Sequence, residues 1–181
     1  MKKRNVLSFF SIQSLTRTPA FLFLTAIFLC GAAAGSLTGV ISTSRGVTFS
    51  LSLPETRNAA MLLGGTLLWP SAAVLAGLLP PGGLFISAVV AARAFVLSFS
   101  VAAMLGKPAW TTVWMSLRAF GLQAVVTVPC LLVVASAAFC ACTEQPRGVK
   151  WGYWHALKRY RPALLVCFLL CAASTLLRLL P

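Results

Sequence analysis

Charge is distributed along this chain in a way that leaves few folds open. Residues 18–44, 58–92, 94–106, 119–143 and 162–177 contain no Asp, Glu, Lys or Arg at all, and the fifteen basic residues are bunched between them. A helix needs about 20 apolar residues to cross the hydrocarbon core of a bilayer, so runs of this kind read as spans. Composition agrees: 59% of the residues are hydrophobic and 9% charged, against about 25% charged in an ordinary soluble domain. A β-barrel would alternate apolar and polar residues, whereas 21–29 and 164–173 are apolar on every side, and in lipid that leaves the helix as the way to satisfy the backbone. The sequence therefore predicts an all-α integral membrane protein, one polytopic domain over 1–181 with about five transmembrane helices and interfacial helices beside them.

The breaks place the spans. Residues 5–18 set Val6, Phe9, Phe10 and Leu15 among polar positions, a pattern for a short helix on the membrane surface. Lys2, Lys3 and Arg4 ahead of the first apolar run read as a retained signal-anchor. Pro19 opens span one, 19–41, where a missing N–H costs nothing. Span two is predicted over 58–79, with Gly64, Gly65, Trp69 and Pro70 as weak points. Pro80-Pro81-Gly82-Gly83 is expected to form the reversal into span three, 84–105. Residues 109–142 are too many for one crossing, so 109–117 is expected to be interfacial and span four to run from 118 to 142. Span five covers 162–180.

Orientation follows the excess of Lys and Arg on the cytoplasmic side. With the N-terminus inside, Lys2, Lys3, Arg4, Arg17, Arg147, Lys150, Lys158, Arg159 and Arg161 fall on the cytoplasmic face, and Arg45, Arg57, Lys107 and Arg178 on the outer face. Nine against four puts the C-terminus outside and the protein in the cell membrane. The net charge of +13 would suggest nucleic acid in a soluble chain, but here the basic residues flank apolar spans, and anionic lipid headgroups are the expected counter-charge.

Three features stand out as candidate sites. Gly31, Gly35 and Gly39 lie at four-residue spacing, with Ala32, Ser36 and Val40 near the same face, and such a stripe lets a second helix approach closely. Arg93 is an intramembrane charge without a carboxylate in any span to pair with it, so it should face the bundle interior, water or a backbone carbonyl, or else snorkel to an interface. Trp151, Tyr153, Trp154, Lys158, Arg159, Tyr160 and Arg161 interleave aromatic rings with cations just before span five, the pattern of a membrane-interface belt.

Chemistry is sparse. Glu55 and Glu144 are the two carboxylates and His155 the one histidine, so neither a His-based triad nor a histidine–carboxylate metal centre can be assembled. Cys140 with Cys142, and Cys167 with Cys171, have spacings open to a soft metal, but no Met-rich or His-rich tract accompanies them and packing is the expected role. The chain is read as a non-enzyme with no catalytic residue, cofactor or metal. Coupled transport lacks its intramembrane carboxylates.

In layout the chain resembles the stage II sporulation protein M family. The likeness rests on the glycine-rich first span (Gly31, Gly35, Gly39) and on the turn Gly77-Leu78-Leu79-Pro80 leading into a span that ends Ser98-Phe99-Ser100-Val101-Ala102-Ala103-Met104-Leu105-Gly106. It rests further on Val128-Pro129 in the fourth span and on Lys158-Arg159-Tyr160-Arg161 opening a last span that finishes in proline. The run Ala91-Ala92-Arg93-Ala94 departs from the family, whose third span tends to carry a glycine there. The resemblance implies a membrane scaffold of the sporulation engulfment machinery that recruits peptidoglycan-degrading partners, stage II sporulation proteins D and P. A permease-like membrane subunit of an ABC-type exporter is the alternative.

Overall fold

A computed structural model of the chain describes residues 18–44, 59–105, 122–143 and 150–179. They form α1 (Pro19–Ser44), α2 (Ala59–Ala76), α3 (Gly82–Leu105), α4 (Leu122–Thr143), α5 (Lys150–Arg159) and α6 (Arg161–Leu179), with no strand among the described residues. The expected surface helix over 5–17, the interfacial segment 109–117 and the proposed start of span four at Arg118 lie outside them. Helices α1, α3 and α4 have 26, 24 and 22 residues, and each is long and apolar enough to cross a membrane. At about 1.5 Å per residue they reach roughly 33–39 Å, more than the ~30 Å hydrocarbon core. Helices α2 and α6 contribute shorter apolar stretches, Gly64–Ala76 and Arg161–Thr175.

The reversal between α2 and α3 falls earlier than the sequence suggested. Residues 77–81 make the turn and α3 begins at Gly82 instead of Leu84. Pro81 sits just before the first helical turn and its carbonyl accepts the Leu84 N–H at 3.1 Å, so the prolines start the helix and the two glycines continue it. A Cβ on Gly82 would lie 2.8 Å from Cys142 Sγ and 2.9 Å from the Gly77 carbonyl oxygen. Glycine is needed there for space. Helices α2 and α4 are each continuous through their internal prolines, Pro70 and Pro129.

Helix directions can be read from residues that meet. Gly31, Gly35 and Gly39 of α1 face Ala91, Phe95 and Phe99 of α3 in that order, so these two helices are parallel. The Cys142 thiol donates to the Gly77 carbonyl at 3.1 Å, which brings the carboxyl ends of α2 and α4 together. Phe23 near the start of α1 has its ring centroid 6.0 Å from that of Phe139 in α4. One end of the bundle thus gathers the starts of α1 and α3, the ends of α2 and α4, the helix α5 and the start of α6. The helices α1, α2, α3, α4 and α6 run alternately up and down between its two ends.

The main core joins α1, α2, α3 and α4 through Leu24, Ala73, Ile86, Val90, Leu131 and Ala135. Helix α4 is the central element, with Val134, Ala135, Ala137, Ala138 and Ala141 fully buried. Hydroxyls inside these apolar helices bond back to their own backbone: Thr25 Oγ1 donates to the Phe21 carbonyl at 2.8 Å, Ser100 Oγ to Val96 at 2.7 Å and Ser136 Oγ to Val133 at 2.9 Å. In this way a polar group inside an apolar bundle avoids the cost of an unmade hydrogen bond. No buried side-chain nitrogen or oxygen among the described residues is left without a partner.

Candidate functional site

Two features converge on α3: the seam with α1, and the charge at Arg93. Along the seam, α1 lies against α3 closely enough that no side chain fits at its glycines. A Cβ on Gly31 would stand 2.7 Å from the Ala91 carbonyl oxygen, and one on Gly39 would stand 2.6 Å from the Ala102 Cβ. At Gly35 it would run into Ser98 Oγ and the Phe95 carbonyl oxygen. Small residues permit this approach, and dispersion contacts along the whole stripe follow from it. The neighbours expected to share the stripe do so unevenly. Ala32 and Ser36 are half-buried, while Val40 is 61% exposed.

Arg93 lies eleven residues into α3, near its middle, and points into the bundle. Its guanidinium carbon is 5.2 Å from the centre of the Trp69 ring on α2, within the range of a cation–π interaction. Thr66, Trp69 and Pro70 of α2, Thr127, Val128 and Leu131 of α4 and Arg93 itself enclose a cavity of about 10 Å³, room for one water-sized occupant. Both helices that face the guanidinium carry an internal proline, Pro70 in α2 and Pro129 in α4, and stay helical through it. The sequence identified Arg93 as a charge without a carboxylate partner. The fold adds the Trp69 ring and the facing stretches of α2 and α4, neither of which sequence spacing links to residue 93.

Beside it lies a cluster that the sequence had divided differently. Cys130 of α4 and Cys167 and Cys171 of α6 are buried together with Val134. Sequence spacing had paired Cys167 with Cys171 and Cys140 with Cys142, but the third member of the cluster comes from another helix. None of the six cysteines is in a disulfide. Among the described residues no group of three or more His, Cys, Asp or Glu is arranged to hold a metal ion.

At the end of the bundle, α5 carries the aromatic and basic run. Lys158, Arg159 and Arg161 are exposed and Tyr160 is half-buried, while the side chains of Trp151 and Trp154 lie outside the described residues. Tyr153 does not belong to the exposed belt. It is 1% exposed, its hydroxyl donates to the Val74 carbonyl at 2.8 Å, and its ring fills the space where Gly77 lacks a side chain. Burial pushes the Tyr153 hydroxyl well above its ordinary pKa, which keeps it a donor. Its work is to fasten α5 to the end of α2. His155 is exposed on the same helix, away from the buried thiols and Arg93.

Comparison with family models, with curated proteins and with solved structures found no match to this chain. The functional reading therefore rests on the residues above.

Proposed function

We propose that the chain is an integral membrane protein of the cell membrane, with five spans (α1, α2, α3, α4 and α6), its N-terminus inside and its C-terminus outside, that works as a non-enzymatic scaffold. One observation carries the membrane reading. The outside of the bundle is apolar: Leu29 and Leu37 on α1, Leu84 on α3 and Leu165 and Leu169 on α6 are each more than 60% exposed. An apolar patch of more than a few hundred Å² is rare on a soluble monomer, whereas lipid covers it at no cost. The exposed cations Lys158, Arg159 and Arg161 gather where the starts of α1, α3 and α6 meet, consistent with that end facing the cytoplasm.

The scaffold reading is supported by what the helices present to one another. Glycines admit a neighbouring backbone, hydroxyls close on their own carbonyls, and thiols pack. A nucleophile held by a base, or paired carboxylates that could carry general acid–base chemistry, would support an enzyme, and the sequence offers two carboxylates, Glu55 and Glu144, and one histidine, His155. The resemblance to the stage II sporulation protein M family supplies the process, forespore engulfment, and the class of partner, the peptidoglycan-degrading proteins D and P of that stage. Such partners act outside the membrane, so the outer segments around 45–57 and 106–110 are the proposed contact region.

Deletion of the gene tests this. In an endospore-forming host the account expects membrane migration around the forespore to stop and the cell-wall hydrolases to scatter, with their activity in extracts unchanged. Normal engulfment in the deletion strain, together with a purified complex containing an ATPase, would instead identify a permease-like subunit of an exporter.

A further inference from the structure

A second cavity, apart from Arg93, lies at the basic end of the bundle. It is a cleft of about 360 Å³ between α2 and α6, closed at its end by α5. Its walls are Val74 and Leu75 of α2, Leu157 of α5, and Leu164 and Phe168 of α6, and Lys158 and Arg161 stand at its rim. From Arg161 to Phe168 is two helical turns, about 10 Å of depth along α6. Both rim cations are exposed, and no acidic residue among the described residues neutralises them.

We propose that this cleft holds one anionic phospholipid, with its phosphate at Lys158 and Arg161 and part of an acyl chain against Leu164 and Phe168. The chemistry of the walls selects this occupant. The polar side chain within the cleft, Ser71, already donates to the Leu67 and Leu68 carbonyls at 2.8 and 2.9 Å. A peptide in the cleft would leave its own backbone N–H and C=O groups without partners, whereas an acyl chain brings none. The cations suit a phosphate and sit where a headgroup would lie if the bundle is embedded as proposed above, and on that embedding the site depends. Cations near an anionic headgroup attract it, so the pair should favour an anionic over a zwitterionic headgroup by roughly tenfold or more. Arg159, exposed on the same helix, does not line the cleft. It separates a built site from a diffuse basic belt.

The test uses the full chain purified in neutral detergent, titrated with phosphatidylglycerol or phosphatidylcholine of matched acyl chains and read by native mass spectrometry, with inorganic phosphate as a third probe. One phosphatidylglycerol per chain is expected, about tenfold preferred over phosphatidylcholine, with no retention of inorganic phosphate. The double variant Lys158→Gln, Arg161→Gln should lose the preference, Arg159→Gln should keep it, and Leu164→Trp, which fills the cleft, should weaken binding of both lipids. The rim variants change exposed positions and remain decisive if Leu164→Trp does not fold. Equal binding of the two lipids, or an equal loss in Arg159→Gln, would overturn the proposal, as would tight binding of phosphate alone. Failure of the embedding itself would show separately, as protein released from membranes by alkaline carbonate without detergent.

Discussion

Replacing Gly35 with leucine is expected to separate α1 from α3 and to remove most of the folded protein. The atoms in the way are Ser98 Oγ and the Phe95 carbonyl oxygen, and a backbone carbonyl cannot swing aside as the end of a flexible side chain can. Overpacking a core costs typically 1–3 kcal/mol and sometimes more. Here the obstruction is main chain and the seam continues to Gly31 and Gly39, so a loss of about 3 kcal/mol or more is expected at the upper end of that range. Leu37→Ala is the matched control, since Leu37 is 64% exposed and surface changes usually fall within about 0.5 kcal/mol. Steady-state abundance and the midpoint of denaturant unfolding in detergent measure both. Equal tolerance of the two variants would mean that α1 does not rest on α3 through its glycines.

Arg93→Met is expected to do the reverse: to keep the fold and lose the function. A guanidinium at the middle of a span costs about 2.5–3.5 kcal/mol on insertion scales, so methionine, apolar and of similar length, should leave abundance and thermal stability unchanged or raised. If the guanidinium holds a group that the scaffold must engage, its removal costs about 2–5 kcal/mol of that interaction, tenfold or more in activity. Complementation of the deletion strain by Arg93→Met should then fail while the protein accumulates normally. Arg93→Lys should recover part of the activity, because it retains the charge but not the planar group that faces Trp69. Full activity of Arg93→Met would make the arginine a tolerated passenger. A collapse in abundance would make it a structural pin.

How far such a chain can be read in advance depends on whether its residues carry directional information. Gly31, Gly35 and Gly39 do, because absence of a side chain marks a side of the helix, and the structure sets that side against α3. Arg93 does, because a lone charge in an apolar helix has few places to point. Helix α4 does not: it is apolar all round, so no periodicity in its sequence says that Val134, Ala138 and Ala141 form the centre while Val125 is 74% exposed. The same uniformity hid the cluster of Cys130 with Cys167 and Cys171, whose members come from different helices. Tyr153 was misleading for another reason. Aromatic residues among cations look like an interface belt, and the tight fit of this ring over Gly77 becomes visible only when α5 is folded against the end of α2. The turn falls at 77–81 and not at 80–83, because prolines and glycines both signal breaks but a proline just ahead of a helix also starts it.

The central claim is that five helices cross the membrane, and it depends on the two with shorter apolar stretches, α2 (Gly64–Ala76) and α6 (Arg161–Thr175), of which α6 decides the side of the C-terminus. Paired reporters fused after Lys150 and after Pro181 bracket that helix alone among the proposed spans. The account predicts fluorescence from a cytoplasm-dependent reporter at Lys150 and enzymatic activity from an export-dependent phosphatase at Pro181, each silent at the other position. Both positions reporting from the same side would leave an even number of spans and contradict the architecture.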